Sequence, residues 1–66
     1  MEVTLNGEIR HFPAALTVAQ LVTELGYTGK RIAVEINGDI VPRGRHADTL
    51  VAAGDHIEIV VAVGGG

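Results

Sequence analysis

The residues of this chain best suited to chemistry are its last ones, Val63-Gly64-Gly65-Gly66, where an apolar run passes straight into three glycines. Glycine carries no Cβ, so such a tail is thin enough to thread a narrow channel in another protein and present a terminal carboxylate there. A free carboxylate is a poor electrophile. Joined to AMP it becomes a mixed anhydride with a good leaving group, open to attack by a sulfur nucleophile. Gly66 is the expected reacting residue, and Gly65 and Gly64 are the expected stretch that enters a partner's site. The plain alternative is an unstructured chain end with no role.

Other chemistries find little footing. The chain has no cysteine and no serine, which excludes disulfides, thiolate metal sites, thiol or serine nucleophiles and a phosphopantetheinyl attachment serine. Gly29-Lys30 is followed by Arg31 and lacks the glycine spacing of a phosphate loop. His11, His46 and His56 are too far apart in sequence to share a helix face, so they read as solvated side chains. Glu35, Asp39, Asp48, Asp55 and Glu58 fall in turns or on polar strand faces and form no evident acid/base pair. Arg43 and Arg45 flank Gly44 and have the right groups for a phosphate or carboxylate, but two arginines in a small loop are more often simply hydrated. The ATP site, the metal and the sulfur donor that activation of Gly66 requires are therefore expected in partner proteins.

Size and charge narrow the setting. A chain of 66 residues makes one small domain with a single core, here expected over residues 1–63, with 64–66 as a flexible tail. A net charge of −3 is the wrong sign for a nucleic-acid binder and suits a basic protein partner. No apolar run approaches the roughly 20 residues of a membrane span, and no signal-peptide pattern opens the chain, so a cytoplasmic setting without membrane contact is expected. One Tyr, one Phe and no Trp offer little surface for base stacking or for a drug-sized pocket.

The elements that must position the tail can be read in order. Val3 to Phe12 with Asn6-Gly7 at its middle reads as a hairpin. A three-residue loop would put Val3, Leu5 and Ile9 on one face, and that register is the one expected. Thr17 and Gln20 have capping-box spacing, flanked by Leu16 and Leu21 at the positions of a hydrophobic staple. Val18, Leu21, Val22 and Leu25 continue one helical face, and Gly26 stands where a left-handed cap belongs. Ile32, Val34 and Ile36 alternate as a strand up to a second Asn-Gly, Asn37-Gly38, and the return strand Ile40-Val41 stops at Pro42, as an edge strand does. Residues 43–49 read as a loop with at most one helical turn, pinned by Leu50 and Val51. His56 to Val63 reads as a central strand, apolar on both faces in its second half. A helix packed on one face of a mixed sheet is the simplest assembly of these parts, with Leu21, Val34, Ile57 and Ile59 dominating the core.

Taken together, these segments resemble the ThiS family, the small sulfur carriers of thiamine biosynthesis, which are ubiquitin-like β-grasp proteins related to the MoaD type. The resemblance covers the whole chain. It rests on the opening Asn-Gly turn, the helix after Thr17-Val18, the stretch Ala33 to Arg43, the run Leu50 to Val60 with Gly54-Asp55 inside it, and the glycine end. It implies an α+β fold, a mixed sheet of about five strands with one main helix on one face, and the last strand central and parallel to the first. It also implies a cycle in which a ThiF-type adenylyltransferase, using ATP and magnesium, adenylates Gly66. Sulfur from a cysteine desulfurase then makes a thiocarboxylate, which thiazole synthase consumes. The chain itself would be a carrier and not an enzyme, binding no cofactor of its own. Gly65 and Gly66 carry over onto the family's terminal diglycine, and Gly64 matches the members with three glycines.

Four other readings stay open on sequence. A ubiquitin-like modifier would join its Gly66 to lysines and end as an isopeptide, a different product. The small subunit of molybdopterin synthase shares the fold and the diglycine end, but tends to be longer and lacks the Asn-Gly-x-Ile-Val-Pro-Arg stretch. A β-grasp interaction module would use its surface alone and be indifferent to loss of Gly65 and Gly66. A carrier modified on Lys30 would need that lysine at a hairpin tip, whereas it falls between helix and strand.

Overall fold

The structure is a computed structural model that describes residues 1–62. Two Asn-Gly turns organise its main sheet. Asn6 and Gly7 have φ of 49° and 83°, and Asn37 and Gly38 have 52° and 88°. Both central residues lie in the left-handed region, which is the two-residue turn whose twist matches a hairpin. Each turn joins two strands: β1 (Glu2–Leu5) to β2 (Glu8–His11), and β4 (Ile32–Ile36) to β5 (Asp39–Val41).

The first turn corrects the expected register. Leu5 pairs with Glu8 and Thr4 with Ile9, so the loop is two residues long. Ile9 therefore points to the face opposite Val3 and Leu5. Those two are buried, while Ile9 is 63% exposed. The intrinsic fit of Asn-Gly to a tight turn outweighs the burial of one isoleucine on a strand that is exposed throughout.

The helix α1 (Val18–Glu24) starts and stops where its end signals lie. Gln20 N–H donates to the Thr17 hydroxyl at 3.1 Å, and Thr17 N–H donates to Gln20 Oε1 at 2.8 Å. Leu16 and Leu21 are both buried beneath this cap. At the other end Gly26, at φ 79°, lets its own N–H reach Thr23 C=O and Tyr27 N–H reach Val22 C=O, closing the helix with a Schellman pair. Two very short strands, β3 (Leu16–Thr17) and β6 (Leu50–Val51), form a separate antiparallel pair beside the helix start. Leu50 is exposed and Val51 is buried, so only the second of the two residues expected to pin the loop enters the core. One turn of 3-10 helix, Arg43–Arg45, follows Pro42.

The strand β7 (His56–Val61) lies at the centre of the five-stranded sheet, whose order is β2-β1-β7-β4-β5. It runs parallel to β1 and antiparallel to β4. With α1 as the one main helix on the opposite layer, this is the mixed β-grasp sheet. The core is the single layer between them: Val3, Leu5, Leu16, Val18, Leu21, Val34, Val51, Ile57 and Ile59, with no polar side chain buried among the described residues. Central position does not bury β7 on both sides. Its inward residues Ile57 and Ile59 are covered, but His56, Glu58 and Val60 face outward, and Val60 is 61% exposed. A two-layer protein has one open sheet face, so an apolar residue there stays in water.

Candidate functional site

The candidate tail residues Gly64, Gly65 and Gly66, and the expected domain boundary after Val63, lie outside the described residues. The structure does describe what carries the chain toward them. β7 is held along its β4 edge through Ala62, whose N–H donates to Arg31 C=O at 2.8 Å as the last bond among the described residues, and along its β1 edge by backbone pairing as far as Ile57. The last described residues are thus anchored to a central strand of the sheet and not to a loop, with β4 holding one edge of that strand to its end.

Two asparagine side chains reinforce that anchor. Asn6 Oδ1 accepts the Ile59 N–H at 2.9 Å, and Asn6 Nδ2 donates to Ile59 C=O at 3.3 Å. The carboxamide stands in for a strand residue and extends the β1 ladder by one step after the backbone has turned away. Asn37 does similar work at the other end of β7. Its Oδ1 accepts the His56 N–H at 2.9 Å and its Nδ2 donates to Asp55 Oδ1 at 3.0 Å. Asp55 Oδ2 in turn accepts the Ala52 N–H at 2.8 Å and holds the turn before β7. Neither long-range role was legible from the Asn-Gly dipeptides, which signal only a local turn.

The sheet's open face surrounds the outward residues of β7. Register places Glu58 opposite Glu35, Val60 opposite Ala33, and Ile40 on the far side of Glu35. Two carboxylates and three apolar side chains therefore share the face along which the chain runs to its tail. Among the described residues the one salt bridge is the exposed His11–Glu2 contact at 3.6 Å, on the far side of the same face.

The remaining polar candidates do not converge on a reaction centre. His11 and His56 are exposed, and His46 Nε2 lies 3.1 Å from Val41 C=O. No group of three or more His, Asp or Glu side chains among the described residues is arranged to hold a metal ion. Arg43 lines a shallow depression of about 300 Å³ with Lys30 and His46, but Arg45 is not part of its wall. Lys30 sits above the Tyr27 ring, 5.9 Å from its centroid. A wider open groove of about 490 Å³ runs along α1 past Phe12, Pro13, Leu16 and Ala19. Its one carboxylate is Glu24, and its one hydroxyl, on Thr23, donates to Ala19 C=O. Neither hollow pairs a nucleophile with a base.

Comparison with known proteins meets this geometry at the tail. Residues 3–66 match the ThiS family, so the match includes all three terminal glycines. The crystal structure of a thiamine biosynthesis protein (ThiS) from Geobacter metallireducens superimposes over the full length of both chains with a TM-score of 0.85 and 30% identity. Thiazole synthases of Paramagnetospirillum magneticum and Magnetococcus marinus are 46% and 36% identical over all 66 residues. This chain spans only 20% of the length of each of those two proteins. A family match from the first buried strand residue to the last glycine, on a β-grasp sheet whose central strand leads to those glycines, settles membership: the chain belongs to the ThiS family.

Proposed function

We propose that this protein carries sulfur for assembly of the thiamine thiazole, as a thiocarboxylate on Gly66. A ThiF-type adenylyltransferase, with ATP and magnesium, transfers AMP to the Gly66 carboxylate and releases pyrophosphate. A persulfide sulfur supplied by a cysteine desulfurase attacks the acyl carbon, AMP leaves, and reductive cleavage of the resulting acyl disulfide by a thiol leaves the thiocarboxylate. Thiazole synthase then takes the sulfur and the carboxylate returns. Gly65 and Gly64 supply the thin segment that enters each enzyme. The chain contributes no catalytic group of its own and acts as co-substrate to these partners.

The single observation that carries this reading is the family match running through residue 66 on a chain whose central strand points toward that end. The choice of thiazole synthase as acceptor draws support from the two relatives of that name, in which a segment like this chain makes up one fifth of a longer protein. A carrier joined to its consumer in one polypeptide works beside it. The test is growth without thiamine in cells that lack their own carrier. The full chain restores growth, and the chain ending at Gly64 does not, although it folds. Growth supported by the shortened chain would refute the proposal.

A further inference from the structure

The two edges of β7 are not used to the same depth. Asn37 N–H donates to His56 C=O and Ala62 N–H donates to Arg31 C=O, so the even-numbered residues of β7 turn their backbone groups to β4. The odd-numbered residues turn theirs to the opposite edge. There the C=O groups of Asp55 and Ile57 accept Thr4 N–H and Asn6 N–H at 2.9 and 2.8 Å. Ile59 is satisfied by the Asn6 side chain. Beyond that point β1 has turned back into β2, and among the described residues nothing hydrogen-bonds to Val61 along this edge. The sheet has a step, one strand wide, beside the last residue of its central strand.

We infer that this step is a docking edge, at which an extended backbone segment of the adenylyltransferase adds to β7 beginning at Val61. The inference rests on the function proposed above, since the occupant is the enzyme that must take the tail. Positions 63–66 follow β7 after one intervening residue, Ala62, so a protein that brings Gly66 to its ATP site has backbone alongside the residues just before it. Main-chain pairing supplies affinity there at little cost in sequence specificity. Asn6 supplies the register: its carboxamide fills the Ile59 groups, so an incoming strand finds its first free partner at Val61. The outer edges of the sheet are worse candidates. β1 and β4 separate them from β7, and β5 is three residues long and ends at Pro42.

The test uses the full chain, short enough for total chemical synthesis, with the amide between Val60 and Val61 replaced by an ester. That removes the Val61 N–H and keeps every side chain. A second synthetic chain carries an ester between Glu8 and Ile9, whose N–H also faces away from its ladder, at the outer edge of β2. Each ester weakens one ladder carbonyl, so the two chains differ in which free edge has lost its donor. Calorimetric titration with the adenylyltransferase gives affinity, and pyrophosphate release reports adenylation. The Val61 ester binds about tenfold more weakly than the native chain, the worth of one hydrogen bond, and the Ile9 ester binds as the native chain does. Equal affinities for all three chains, with the native chain still adenylated, overturn the docking edge and leave the carrier function standing. A native chain that is neither bound nor adenylated removes the carrier function and the edge together. If the Val61 ester abolishes self-association and leaves enzyme binding intact, the step belongs to a second copy of the chain and the inference is wrong.

Discussion

The two Asn-Gly hairpins use the same dipeptide in the same turn, and the fold puts them to different use. Both loops are two residues long, with nearly identical φ angles. Asn37 bonds Asp55 and His56 in an exposed setting where β7 begins. Asn6 bonds both backbone groups of Ile59 in a partly buried setting, 53 residues away in sequence, where β7 leads out to the tail. Turn geometry is local chemistry. What the asparagine side chain then holds is decided by which strand lies next to the turn, and here that strand is the same one at both ends.

The comparison can be broken first at the strand both turns grip. Ile57 is buried between the two anchor points, and Ile57→Ala is expected to cost about 2 to 5 kcal/mol in denaturant unfolding, enough to threaten a domain this small. Next come the turns themselves, tested with glycine because it keeps the positive φ and removes only the side chain. Asn6→Gly leaves two partly buried groups of Ile59 unpaired and should cost about 2 kcal/mol. Asn37→Gly exposes its partners to water instead and should cost about 1 kcal/mol. Amide exchange separates them by place: the first variant speeds exchange at Ile59 and the second at His56. Equal stability losses, or faster exchange at the wrong amide, would show that the two anchors are interchangeable. The smallest effect is the coupling of Asn37 with Asp55. A double-mutant cycle of Asn37→Gly and Asp55→Ala should give about 0.5 kcal/mol, as exposed polar pairs do.

How much of this was legible depends on the range of each signal. The Thr17–Gln20 cap, the Gly26 stop and the helix face through Val18 and Leu21 were readable because their partners lie within five residues. The alternation of Ile32, Val34 and Ile36, and the edge strand ending at Pro42, were readable for the same reason. The register of the first hairpin was misread because the expected register gave Ile9 a buried place that β2 does not offer. Val60 was misread in a similar way: an apolar pair at the end of a central strand suggests cover on both faces, and this sheet has a helix on only one. The β3–β6 pairing spans two residues on each side and joins segments more than thirty residues apart, so no local pattern announces it. At the candidate site the sequence supplied the glycine tail and the family resemblance, and the family is confirmed. The roles of Gly64, Gly65 and Gly66 fall on residues beyond those the structure describes, so they rest on chemistry and kinship.

The central claim is that Gly66 carries sulfur. Its most direct test is intact-protein mass spectrometry after incubation with ATP, magnesium, a ThiF-type adenylyltransferase, a cysteine desulfurase, cysteine and a thiol reductant. The account predicts one sulfur in place of one oxygen, with fragment ions assigning the change to Gly66, and no change when ATP is withheld. Oxidation of Met1 adds nearly the same mass, so only the fragment assignment counts. A Gly66 that stays a carboxylate beside partners that load another carrier would contradict the account.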